Sequence, residues 1–483
     1  MPRSSVAPET STTGRARRVG MLAAVAVAAA AVALVVGPVS AARADTAVGS
    51  IAELAAAFAT QPSGSTISLG ADLTGDAGSD VVKVPAGHAL TLDLNGHRLI
   101  LVSDDEDPVA PAGLGVPAGT SLTIMDSAPG GAVGALDATG SYGDTSPGGG
   151  GAGIGGANGE AAGTIIIDGG AITTLGGFDG AGIGGGHLGA GGTTTINGGT
   201  VTATGGEFAA GIGGGRARDG GTIAINGGTV IAGTSNGQAA AIGGGYSGSG
   251  AALSIGAGAV VTVGSGLGEH GVGPGDIAAD STNFGSLSNA GTLILPPFNN
   301  IDIPDGIVVT NSGTIRNGGT LAIAGTLANT GIILNTRVIQ NPENVTGHNV
   351  TVLLDGNGGT APTAPDVVYA STFQDAQIGF PADATRAGST FDGWFTQAVG
   401  GAQVTAATDL GIGGPKSLTL YAHWSDPAAA AGDGDNPAAA VGDGGSPATL
   451  ANTGLDMLPI GFTGALLILI GLALLLRRRR TAH

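Results

Sequence analysis

The stretch TTTINGGTVTATGGEFAAGIGGG (Thr193–Gly215) decides the fold. Its Thr, Ile and Val residues come in short runs that alternate in polarity and are bounded by glycine pairs, the pattern of brief half-buried strands joined by tight turns. A helix is disfavoured because each interior glycine costs about 1 kcal/mol relative to alanine. The words also repeat. The closing phrase recurs as GAGIGG, GAGIGGG and AAAIGGG, which puts Ile154, Ile183, Ile212 and Ile242 at steps of 29, 29 and 30 residues. Ile167, Ile196, Ile225 and Ile255 form a second series, followed five positions later by Ile172, Val201, Val230 and Val260. Three columns that advance together predict a solenoid in which one repeat makes one coil and like residues stack inside it.

Short strands in coils of this length predict an all-β chain built on a right-handed parallel β-helix solenoid. Asp168, Asn197 and Asn226 fall at equivalent turn positions, where their side chains can bond from coil to coil and tolerate left-handed backbone. The register runs backward through weaker copies in which Gly70, Asn95 and Asp126 match that turn; steps of 25, 31 and 42 residues imply loop insertions. IAELAAAFAT (51–60) reads as a short amphipathic helix covering the open first coil, because a solenoid needs a cap. Beyond 280 the coils shorten and become Asn-rich, with Asn289, Asn311 and Asn329 at steps of 22 and 18. The β-helix with its cap is therefore expected over 45–347.

Composition sets the outer bounds. The chain has 483 residues, 95 of them glycine, and only 3% aromatics, so the core must be aliphatic and repetitive. The absence of cysteine excludes disulfides, thiolate metal sites and a cysteine nucleophile. Seven scattered histidines show no ligand spacing and read as surface residues, and no cofactor is implied. Between 45 and 454 only eight basic residues stand against 34 acidic ones, a net charge of −26. Such a surface repels phosphate backbones, so nucleic acid is not a partner.

Both ends read as addresses. Basic residues through Arg18 precede an apolar run, Met21 to Val36, and then Ala42-Arg43-Ala44, the layout of a secretory signal peptide (1–44) cleaved before Asp45. Residues 427–449 form an Ala/Gly/Pro/Asp-rich linker without periodicity, read as a flexible stalk. Pro459 to Leu476 is apolar and, at about 1.5 Å per residue, just long enough to span a bilayer as a helix. Arg477, Arg478, Arg479 and Arg480 then act as a stop-transfer cluster held on the cytoplasmic side.

The word before that span, Leu450-Ala451-Asn452-Thr453-Gly454, resembles the sorting motif of Gram-positive cell-wall proteins in its high-GC form, with Ala451 in place of the usual proline. The resemblance implies that a sortase cleaves between Thr453 and Gly454 and joins Thr453 to peptidoglycan. Residues 450–483 would then be a sorting signal, the membrane would hold only a transient precursor, and the mature chain would lie in the cell wall facing outward. A second resemblance covers 348–426. Asp355-Gly356-Asn357-Gly358-Gly359, Phe391-Asp392-Gly393-Trp394 and Leu420-Tyr421-Ala422-His423-Trp424 look like the parts of one internalin-type B repeat, also called the Listeria-Bacteroides repeat. That family implies a small β-grasp-like module serving as a spacer or protein-contact unit on bacterial surfaces.

Catalysis finds little support in the residues. GAGIGG satisfies the dinucleotide-binding pattern GxGxxG, but it recurs in every coil with no helix pattern after it, so its glycines read as turn residues. Asp104, Asp105, Glu106 and Asp107 read as a solvated acidic loop without calcium-loop spacing. A polysaccharide lyase or glycosidase on this fold would need paired carboxylates or a basic residue beside a metal-bound uronate. Glu160, Asp168, Asp179, Glu207 and Asp219 instead sit singly in different loops, with only Arg216 and Arg218 as basic residues nearby. The reading is a non-catalytic, adhesin-like surface protein that presents its β-helix to a host or environmental protein or glycan. The alternatives are a wall-anchored polysaccharide-active enzyme and a purely structural coat.

Overall fold

The computed structural model describes residues 46–76, 82–103, 110–128, 131–143, 149–264, 270–275, 283–364, 367–410 and 416–425. The signal peptide, the acidic loop at 104–107, the linker, the LANTG motif, the apolar span and the arginine tail lie outside the described residues. The described residues all belong to one compact unit, which ends at Ser425. Among the described residues no helix is long and apolar enough to cross a membrane.

The solenoid is a right-handed parallel β-helix. Each coil contributes three strands, illustrated by Thr193–Ile196, Thr200–Gly205 and Ile212–Gly213. The first two columns merge into one 20-stranded parallel sheet because Thr222–Thr234 and Ala252–Val263 run unbroken around the corner between them. The third column is a 9-stranded sheet. Alternation puts every second side chain inside, and the Ile column is in register from Ile124 through Ile167, Ile196 and Ile225 to Ile255. All five are buried, and each such side chain stabilises the fold by roughly 1.5–3 kcal/mol. Ile154, Ile183, Ile212 and Ile242 stack in the third column as the repeat predicts.

Two expectations need correction. Val230 pairs with Val261, not Val260: one extra residue before Gly258 shifts the register, so Val261 is buried while Val260 is 37% exposed. In the early coils Ile167 pairs with Ile124, and Ile124 with Leu92, so Asp168 is equivalent to Met125 and Asp93 rather than to Asp126 and Asn95. Longer turns there displace the polar residues by one or two places.

Both solenoid ends are covered. Ser50 caps the helix Ile51–Thr60 by accepting from the Glu53 N–H, and Leu54, Ala57 and Phe58 bury against the first coil. At the far end the Ile333 N–H donates to the Tyr369 carbonyl at 3.0 Å, and Tyr369 joins the solenoid core. Tyr369 comes from the second module, a 5-stranded sheet in which Val350–Asp355 runs parallel to Lys416–Ser425 while Thr390–Phe395 runs antiparallel to it. Trp394, Phe373, Val352 and Leu420 form its separate core, matching the predicted small β-grasp-like unit.

Candidate functional site

The Gly-rich words build the site. In each regular coil an alanine N–H donates to a glycine carbonyl four residues on, Ala181 to Gly185 and Ala210 to Gly214, so the chain doubles back around a buried isoleucine. The bend needs glycine. Gly155, Gly184, Gly213 and Gly243 have φ between 137° and 146°, and a Cβ on any of them would lie 1.9–2.0 Å from the carbonyl oxygen of the next coil's glycine. Doubling back brings the loop before the isoleucine beside the loop after it.

Side chains from the two loops form a column. Tyr142, Phe178, Phe208 and Tyr246 stack edge to face with centroids 5.3, 5.6 and 5.4 Å apart. The Arg216 guanidinium lies 4.9 Å from the Phe208 centroid and 5.9 Å from that of Tyr246. Beneath it the Asp179 carboxylate is fully buried, 3.5 Å from Arg216 Nη1 and 3.7 Å from His187 Nε2, and neither oxygen has a hydrogen-bond partner. His187 Nδ1 lies 3.1 Å from Asn158 Oδ1 one coil earlier. Burial pushes the Asp179 carboxyl above its ordinary value, against the opposing pull of Arg216 and then His187. Burial also pushes His187 below its ordinary value, opposed by Asp179 and reinforced by Arg216. The buried carboxylate has no solvent contact through which to meet a substrate. The accessible chemistry is ring stacking and a cation, which suits binding.

Three of the other acids singled out in the sequence, Glu160, Asp168 and Asp219, hold their carboxylates in bonds between coils. Glu160 pairs with Lys83 at 3.0 Å, Asp168 Oδ1 accepts from Asn197 at 2.7 Å, and Asp219 Oδ1 accepts from the Ser249 N–H at 3.1 Å. Glu207 donates its backbone N–H to Phe178. Among the described residues no three His, Asp or Glu side chains gather to hold a metal. Two histidines depart from the surface reading. His348 is buried at the junction with Nδ1 2.8 Å from the Gly331 carbonyl, and His187 sits in the cluster. The Asp179–His187–Arg216 grouping escaped the sequence reading, although aligning repeats on Ile183 and Ile212 places His187 and Arg216 at one equivalent position.

The second module's motif residues also acquire structural roles. Asp355 accepts from the Asn357 N–H, Asn357 Nδ2 donates to the Ala422 carbonyl, and Trp424 Nε1 donates to the Gly356 carbonyl. Phe391 packs edge to face on both Trp394 and Trp424.

These geometries define a β-helix solenoid joined to one B-repeat module. Family comparison agrees: residues 195–216 and 223–246 match the Beta helix repeat, and residues 351–423 match the Listeria-Bacteroides repeat domain. No curated protein and no solved structure matches the chain. The pairing of the two modules is consistent with a surface protein.

Proposed function

We propose that this chain is a non-catalytic surface protein, exported, joined to peptidoglycan through Thr453 by a sortase, and displaying its β-helix outward as an adhesin. The observation that carries the reading is the order of parts: a β-helix, a Listeria-Bacteroides repeat, an Ala/Gly/Pro/Asp-rich linker, and then LANTG followed by an apolar span and four arginines. A non-catalytic role is supported by Glu160, Asp168 and Asp219, which are engaged in coil-to-coil bonds, and by Asp179, which is sealed inside the loop cluster. The partly exposed ring column from Tyr142 to Tyr246 offers a contact surface for a protein or glycan.

Cell fractionation tests the anchoring. Wild-type chain is expected in the muramidase-released wall fraction, and Thr453→Ala is expected to lose at least about nine-tenths of that signal, a tenfold effect. A Thr453→Ala chain still covalently bound to the wall would overturn the assignment. Incubating the chain with polysaccharides tests the non-catalytic part: released products would make it an enzyme.

A further inference from the structure

The outward face of the first strand column carries a regular hydroxyl array. In successive strands from Ala89–Asp93 to Thr326–Asn329 the first two outward residues are uncharged, and at least one of each pair is Thr or Ser. The register stacks Thr164 on Thr193 and Thr193 on Thr222, and aligns Thr91 with Thr123. Ser288 stacks on Thr310, whose Oγ1 donates to Ser288 Oγ at 3.0 Å. Thr193, Thr222, Ser254 and Ser288 are exposed.

Geometry follows from the sheet. Strands lie about 4.8 Å apart, and same-face neighbours along a strand about 6.6 Å apart, so hydroxyls and methyls fall on a two-dimensional lattice. Threonine's branched Cβ restricts its rotamers, which keeps the lattice ordered. The charge pattern is selective: a chain with a net of −26 between 45 and 454 leaves these positions neutral and confines acids to the rim, at Asp93 and Asp168. The neighbouring face differs, with the Arg98–Asp137 ion pair and Arg316 on it.

We propose that this face binds the surface of ice. Its neutrality complements an uncharged partner, and its repeats are of the same order as those of the oxygen lattice in ice. Hydroxyls can join that lattice while methyls exclude disordered water. A glycan-binding face would be expected to carry aromatic platforms or charged hydrogen-bonding side chains, and these outward positions carry neither. Ice binding does not depend on wall linkage, so the two assignments fail separately.

The test uses a chain ending at Ser425, the end of the compact unit, frozen slowly so that solute partitions between ice and liquid. Wild type is expected to enrich in the ice at least about tenfold over a non-binding control protein, and Thr193→Lys or Thr222→Lys should each abolish that enrichment. Thr202→Lys, on the neighbouring face, should retain it, and circular dichroism verifies folding of each variant; a variant that unfolds leaves the other to decide. Exclusion of wild type from ice would overturn the proposal. So would equal loss in folded Thr193→Lys and Thr202→Lys, retention on crystalline cellulose or chitin without enrichment in ice, or a stable dimer in solution that covers the face.

Discussion

Gly213 shows what one atom does in this solenoid. Its φ is 140°, and a Cβ would lie 2.0 Å from the Gly243 carbonyl oxygen, so Gly213→Ala both strains the backbone and pushes neighbouring coils apart. The expected cost is on the order of 3–5 kcal/mol, read as a collapse of the urea midpoint; an unchanged midpoint would show that the coils have slack. Asp179 behaves differently. Its folded carboxyl is raised by burial, so this contribution to stability is present below the ordinary carboxylate range and is lost as pH rises through the raised value. His187 is lowered, so its contribution is present above about pH 6.5 and is lost as pH falls through the lowered value. Asp179→Asn keeps the shape and removes the buried charge, while Arg216 remains partly exposed on its rings. The variant is expected to be more stable than wild type by roughly 1 kcal/mol at pH 7, with the gap closing near pH 4. Destabilisation at pH 7 would show that the ion pair outweighs desolvation.

Two polar ladders run along the solenoid in different surroundings. Asp168, Asn197 and Asn226 bond in series at 2.7 and 2.8 Å on the exposed turn. Asn289, Asn311 and Asn329 bond in series at 2.7 Å inside the cylinder, where Asn289 takes the place of Ile255 in the buried column. Asn311→Ala orphans buried partners on both sides and is expected to cost about 2–4 kcal/mol. Asn197→Ala, whose partners can turn to water, is expected to cost about 0.5–1 kcal/mol. Denaturant melts separate the two, and equal costs would contradict the burial difference. Spacing made the Asp168–Asn226 ladder and the coil steps from Asn289 to Asn329 legible in the sequence, because one coil is one repeat. It did not distinguish inside from outside, since a one-residue change of register moves a side chain between faces. The same slip produced the Val260 error. Asp179, His187 and Arg216 were harder to connect because their meeting depends on the glycine bend, whereas the strand columns follow from periodicity alone.

At the scale of the molecule, each module closes what the other elements leave open. The helix at Ile51–Thr60 covers the core of the first coil and Tyr369 packs on that of the last, while Val338–Gln340 ends the nine-stranded sheet as a partly exposed edge strand. The architecture was legible because repeats and module motifs are local in sequence, down to the aromatic trio of Phe391, Trp394 and Trp424. The proposed surface role rests on the order of these modules and of the segments that follow them. Mass spectrometry of the chain released from native walls by muramidase tests it most directly. The account predicts a polypeptide beginning at Asp45 and ending at Thr453 with a peptidoglycan fragment attached; a chain running on through Arg480, recovered from the detergent-extracted membrane, would contradict it.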